Sequence, residues 1–278
     1  MKISFSLPIL FLALPTVGLA AHGTRFTSEF SPFDDDPLVT TGGDIDSFSR
    51  QETHGATVFE ATGYGNLATG KMGSLSRIQN ATPGNPFTRT TMEMFDTLHF
   101  QSPTGVREDI TVEFTMRLHG AFAIDNLLGV GQRSGNSGFF SFKAATIWNN
   151  ERSTFNYNFG RQGSSTGVQT TWTTGQTGTV IRHLDAQTEI DVSLVCSLTF
   201  RNDLPVSLLS FTRTTSGGQG GTSAVANLNQ TATLSLKMPE GYTFTSDSGM
   251  FLTQAVPEPG TFAALGVGAL ALLRRRKR

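Results

Sequence analysis

Three sets of carboxylates have a spacing worth testing for acid/base chemistry: Glu93 with Asp96, Glu108 with Asp109 and Glu113, and Glu189 with Asp191. Glycoside hydrolysis needs two such groups facing each other across a sugar. Only Glu189 and Asp191 are two residues apart, which on a strand puts both side chains on one face, about 7 Å from each other. That face continues as Ser193, Val195 and Ser197. With no aromatic ring there to hold a sugar, the pair reads as a solvated strand entrance. Glu113 has Thr111, Thr115 and Arg117 as same-face neighbours and reads as part of a solvated face.

The remaining reactive residue types are scattered. His22, His54, His99, His119 and His183 show neither HxH nor HExxH spacing, so no metal site is expected. No serine lies in GxSxG, and no glycine-rich run joins a strand to a phosphate-cradling helix, so no cofactor is expected. Asp34, Asp35, Asp36, Asp44 and Asp46 supply oxygen ligands of the kind calcium takes, but without EF-hand spacing. A disordered acidic arm explains them more simply. Cys196, the one cysteine, lies in DVSLVCSLTF and reads as a small hydrophobe on the core face of a strand. It excludes an internal disulfide.

The elements that must position these groups are strands. Apolar residues alternate with polar ones along the chain, and helical periodicity is weak. The clearest run is Ile110 to His119, where Ile110, Val112, Phe114, Met116 and Leu118 face one way. Further candidates are 57–61, 138–148, 154–159, 179–184, 206–213 and 231–238, and 93–100 reads as a strand despite a competing three-residue spacing of Met92, Phe95 and Leu98. Turn signals at 83–86, 103–105, 134–138 and 216–221 separate them. Phe occurs 22 times against 3 Tyr and 2 Trp, which favours a packed apolar interior. Together these features predict an all-β, antiparallel β-sandwich of jelly-roll-like type.

Charge excludes one class of partner. Of 21 Lys and Arg, six lie at Lys2 and in the last five positions, leaving 15 against 22 Asp and Glu and a body near −7. An acidic body is poorly suited to phosphate backbones, so no nucleic-acid partner is expected.

Both ends carry addresses. Residues 1–21 combine Lys2, an apolar stretch to Leu14 and small residues at Gly18, Ala20 and Ala21, the layout of a secretory signal peptide cut after Ala20 or Ala21. Residues 22–50 read as an irregular acidic arm, 51–254 as the β-sandwich body, and 255–278 as a tail. That tail runs Val256-Pro257-Glu258-Pro259-Gly260, then apolar residues to Leu273, then Arg274-Arg275-Arg276-Lys277-Arg278. As a helix, 261–273 is about 20 Å long, short of the ~30 Å hydrocarbon core, so a short transmembrane helix is expected to need local thinning or snorkelling. The basic stop cluster keeps the tail's end cytoplasmic and the body outside the inner membrane.

In this order the three parts resemble a PEP-CTERM sorting signal. The resemblance implies recognition by exosortase, a membrane-embedded cysteine transpeptidase that cuts near the motif, in a bacterium that also makes exopolysaccharide. DTLHF at 96–100, the run ending in LHG at 118–120, and ATLSLKMPEGYTFTSDSGMFL at 232–252 are similar to a body common among such proteins. There Pro239, Gly241, Phe244, Ser246, Ser248 and Gly249 match a closing motif placed just before the sorting signal. This implies a surface protein and no specific chemistry. The expectation is thus an exported, non-catalytic cell-surface or matrix protein associated with exopolysaccharide or biofilm; the alternative is a secreted carbohydrate-binding or carbohydrate-active β-sandwich. Thr-rich stretches at 170–179 and 212–216 add an expectation of O-linked sugar.

Overall fold

The computed structural model describes residues 22–34, 36–84, 86–125, 133–145, 150–162, 178–185, 189–218, 220–229 and 232–253. The expected signal peptide with Ala20 and Ala21, the sorting tail with its expected helix, residues 146–148 of one strand candidate, the Thr-rich 170–177 and the Cys196 side chain lie outside this set. Among the described residues no helix is long and apolar enough to cross a membrane.

The strands are β1 (Gly23–Ser31), β2 (Leu38–Gly42), β3 (Ile45–His54), β4 (Thr57–Asn66), β5 (Lys71–Gln79), β6 (Phe87–Gln101), β7 (Asp109–Asp125), β8 (Arg133–Ala145), β9 (Asn150–Gln162), β10 (Gly178–Asp185), β11 (Glu189–Arg201), β12 (Val206–Gly217), β13 (Ser223–Asn227), β14 (Ala232–Lys237) and β15 (Thr243–Ser246). One sheet has the order β2-β1-β6-β12-β8-β9, with β15 also on β6. The other has the order β10-β11-β7-β13-β5-β4-β3, with β14 filling the same lane as β13 between β5 and β7. Every pairing is antiparallel. The all-β, antiparallel expectation therefore holds.

Alternation is realised where the sequence shows it best. On β7, Ile110, Val112, Phe114, Met116 and Leu118 are all buried, and β11 sets Phe200, Leu198, Leu194 and Val192 on the same side of the sheet. On β6 the two-residue period wins over the three-residue one: Met92, Met94, Asp96, Leu98 and Phe100 form the buried row, with Phe95 on the other face.

The expected irregular arm at 22–50 is instead β1, β2 and most of β3. Its core row on β1 is Thr24, Phe26, Ser28 and Phe30, half of it hydroxylic, so hydropathy alternation is faint although the geometry is regular. The same camouflage hides β5, whose KMGSLSRIQ buries Ser74 and Ser76.

Ser76 and the hydroxyls that face it fasten one sheet to the other, whereas Thr24 Oγ1 and Ser74 Oγ are buried without a hydrogen-bond partner among the described residues. Ser76 Oγ lies 2.9 Å from Thr90 Oγ1 and 2.9 Å from Thr214 Oγ1. Thr90 Oγ1 donates to the Leu75 carbonyl at 2.7 Å, Thr88 Oγ1 to that of Arg77 at 3.0 Å, and Ser216 Oγ to that of Ser76 at 2.8 Å. A hydroxyl one carbon from its backbone reaches a facing carbonyl only if the main chains are near. Here β5 comes within 8 Å of β6 and β12, against ~10 Å for ordinary face-to-face packing. Glycines keep the next strand equally close: a Cβ on Gly63 would stand 2.6 Å from Phe26 Cδ2, and one on Gly65 2.6 Å from Met92 Cε.

Replacing Gly65 with Val is therefore expected to lower stability by about 1–3 kcal/mol through overpacking, read as a lower urea midpoint; an unchanged midpoint would show that β4 has room to move away.

Candidate functional site: the carboxy-terminal latch

The six residues of the closing motif and the DTLHF stretch meet in space. After β14, Pro239 and Gly241 turn the chain, with Tyr242 N donating to the Pro239 carbonyl at 3.3 Å and Gly241 at φ 83°, a left-handed value that suits glycine. β15 then pairs with the end of β6, Thr243 opposite Gln101 and Ser246 opposite Leu98. β12 already occupies the other edge of β6 up to Leu98, so β15 lies in the lane of β1, which starts with Gly23 opposite Phe95. The two strands stand head to tail, with Asp96 and Thr97 facing the gap.

Residues 247–253 close that gap. Asp247 N donates to the Thr97 carbonyl at 3.0 Å, and the Asp247 carboxylate takes His99 Nε2 at 2.7 Å. Ser248 Oγ donates to Asp96 Oδ2 at 2.6 Å and accepts Met250 N at 3.0 Å, while Ser246 Oγ accepts Phe251 N at 3.3 Å. Gly249, at φ 65°, makes the tight turn back toward Ser246. Phe251 is buried and meets Phe244 edge-on, and Leu252 N donates to the Leu67 carbonyl at 2.9 Å.

Asp96 sits in the core row of β6 and is only 2 % exposed. A buried carboxylate needs donors. It has Thr97 N at 2.8 Å, Ser248 N at 3.3 Å and Ser248 Oγ, two of the three from the carboxy-terminal segment. Charge-assisted bonds of this kind are among the stronger ones in a protein.

Glu93, Glu108, Glu189 and Asp191 have partners of their own. Glu93 points to the face opposite Asp96 and pairs with Arg25, so the two do not work together. Glu108 accepts from Ser102 at 2.7 Å, and hydrogen bonds from Tyr242 and Ser102 hold its carboxyl below the usual range. Glu189 pairs with His119 at 3.0 Å and Asp191 with Arg117 at 2.8 Å, across β7 and β11. Both contacts run from strand to strand on the outer face, as the reading of a solvated face expects. Glu189 lines a shallow concavity with Ala121, Phe122, Ala123, Val225 and Asn227.

Of the acids expected in a disordered arm, Asp34, Asp44 and Asp46 are held by the protein's own donors, and Asp35 lies outside the described residues. Asp34 takes both terminal nitrogens of Arg50, at 2.7 and 2.9 Å, and Phe30 N at 2.6 Å. Arg50 also bonds Glu52 at 2.6 Å and lies 4.3 Å over the Phe30 ring. Asp44 holds His22 at 2.9 Å and Asp46 accepts Gly43 N. Among the described residues no three His, Cys, Asp or Glu gather as metal ligands. Burial works to raise the Asp34 pKa, but the hydrogen bonds from Arg50 and Phe30 and the Arg50 charge outweigh it and hold it below the usual range; Arg50 likewise lowers Glu52.

Ser248 and Ser102 bond their carboxylate partners, Asp96 and Glu108, directly, and His99 serves Asp247 instead of standing between hydroxyl and acid. A triad needs the histidine in the middle. The geometry therefore makes a clasp that ends at Thr253, four positions before Pro257. Residues 255–278 match the family model of the PEP-CTERM protein-sorting motif. The motif implies an exported protein, made as a membrane-anchored precursor and processed by exosortase. Among curated proteins nothing matches the chain.

Removing the Asp96 carboxylate as Asp96→Ala is expected to cost about 2–3 kcal/mol, since buried donors lose a charged partner; Asp96→Asn costs less. Urea unfolding checks the size, and faster amide exchange confined to 243–253 checks the place. Because Asp34 and Glu52 have lowered folded-state pKa values, their stabilisation is present above the ordinary carboxylate range and is lost as pH falls through the folded values. Asp34→Asn should thus lower stability at neutral pH and flatten its fall below about pH 4, measured as urea midpoints against pH.

Proposed function

We propose that the protein is a non-catalytic component of the cell surface or extracellular matrix. Its precursor is held at the inner membrane with the jelly-roll-like body in the periplasm, exosortase cuts near Val256-Pro257-Glu258-Pro259-Gly260, and the body then joins an exopolysaccharide or biofilm layer. The observation that carries this reading is a sorting motif directly following a β body in which His22 pairs with Asp44, His54 with Glu52, His99 with Asp247 and His119 with Glu189. Function has to be argued from a site, and the clasp formed by Asp96, Ser248, His99 and Asp247 supports a structural role.

A second reading, glycan binding, draws on one surface feature. Phe33 is 41 % exposed and stacks at 4.0 Å on His54, beside the Arg50 cluster. Flat exposed rings are suited to sugar faces. A glycan array with a hydrolysis readout separates the cases: binding abolished by Phe33→Ala supports a lectin, turnover supports an enzyme, and silence favours the structural role.

Protein taken from its native host is expected to end near Pro257-Glu258-Pro259 when its intact mass and last residue are measured. Alanine at these three positions, or loss of exosortase, should leave Arg278 in place and the protein in the membrane fraction. Normal processing in an exosortase-deficient strain would refute the sorting role.

A further inference from the structure

The two ends of the body leave it side by side. β1 begins at Gly23 opposite Phe95 and β15 ends at Ser246 opposite Leu98, in one lane of β6. A chain of hydrogen bonds joins the exits: Leu252 N to the Leu67 carbonyl at 2.9 Å, Leu67 N to the Asp44 carbonyl at 2.8 Å, and the Asp44 carboxylate to His22 Nδ1 at 2.9 Å. Each exit lies close to a membrane-directed signal. From Thr253 to Pro257 is four residue steps, at most about 14 Å of extended chain. From the expected cut after Ala20 or Ala21 to Gly23 is two or three steps. A membrane-embedded enzyme that grips residues 256–260 therefore has the folded body against it.

Two arrangements meet that limit: the clasp opens and frees 243–253 as a tether, or it stays shut and the body seats on the enzyme. The contacts favour the second. Opening would unpair β15 from β6, expose Phe251 and leave the buried Asp96 without Ser248. We propose that the shoulder formed by His22, Asp44, His99, Asp247 and Thr253 is the face the body presents to exosortase, and that the closed latch serves as a rigid spacer fixing the sorting motif against it. This rests on the exosortase processing that the sorting motif implies. It goes further by assigning which face docks and by making the latch part of substrate presentation.

The experiment uses the full-length precursor in cells that contain exosortase. A photo-crosslinking residue is placed at Thr253, at His99, or at Arg89, which lies on the same outward row of β6 about 33 Å from His99. Crosslinks to exosortase are expected from Thr253 and His99, at least several-fold above those from Arg89. A spacer of twelve Gly and Ser residues inserted between Thr253 and Gln254, which leaves the fold untouched, should reduce the His99 crosslink several-fold while cleavage continues. Equal crosslinking from Arg89 and His99, or a His99 crosslink that ignores the spacer, would overturn the docking face. Cleavage of Asp96→Ala several-fold faster than wild type would overturn the closed spacer in favour of an opening latch. A wild-type precursor that is cut as well without exosortase as with it would instead sink the sorting reading, and the docking proposal with it.

Discussion

The structure depends on how closely its two sheets approach. Serine and threonine hydroxyls of β5, β6 and β12 bond across the interface to facing hydroxyls and carbonyls, which requires main chains nearer than leucine-sized side chains allow. Ser76, Thr90 and Ser216 are satisfied there because each finds its partner in the other sheet, while Ser74 and Thr212 are buried by the same close approach with no hydroxyl partner among the described residues. Gly63 and Gly65 extend the same close approach to β4, where Phe26 and Met92 fill the space a side chain would take. The interior is thus graded: hydroxylic and tight around β5, aromatic and aliphatic around β7 and β11, where Phe114, Met116, Leu118 and Leu194 are buried.

Strand β6 connects this interior to the end of the chain. Its core row runs Met92, Met94, Asp96, Leu98, Phe100, so a carboxylate stands where an apolar side chain would ordinarily pack. Such a group is stable only if donors reach it, and Ser248 supplies two of the three. The core is therefore complete only when residues 243–253 have docked. That segment directly precedes the sorting motif, so closure of the fold and the sorting signal are neighbours in the chain.

The surface obeys a different rule. Arg25 with Glu93, Arg89 with Glu29, Arg77 with Glu60 and Arg117 with Asp191 are cross-strand pairs, each exposed enough to be worth little in stability. They keep the outer faces of an acidic body charged, which favours solubility. Arg50 differs, since its bidentate bond to Asp34 is mostly buried and pins the β1–β2 connection against β3.

The sequence by itself determined the antiparallel β class, the core face of β7 and the sorting motif, because each is written as a local pattern: alternation, or a short ordered string at residues 256–278. It also marked Ser246, Ser248 and the Asp96 stretch as belonging to a recurring body. What it did not disclose were β1, β2, β3, β5, β13 and β15; the hydroxyl side chains in the core rows of β1 and β5 mimic polar loops, and only burial against the other sheet makes them interior residues. Nor did it show that Asp96 and Ser248, 152 positions apart, share a bond, or that both ends of the body emerge together. Those facts depend on which strands become neighbours, a long-range choice made by packing that no local pattern records.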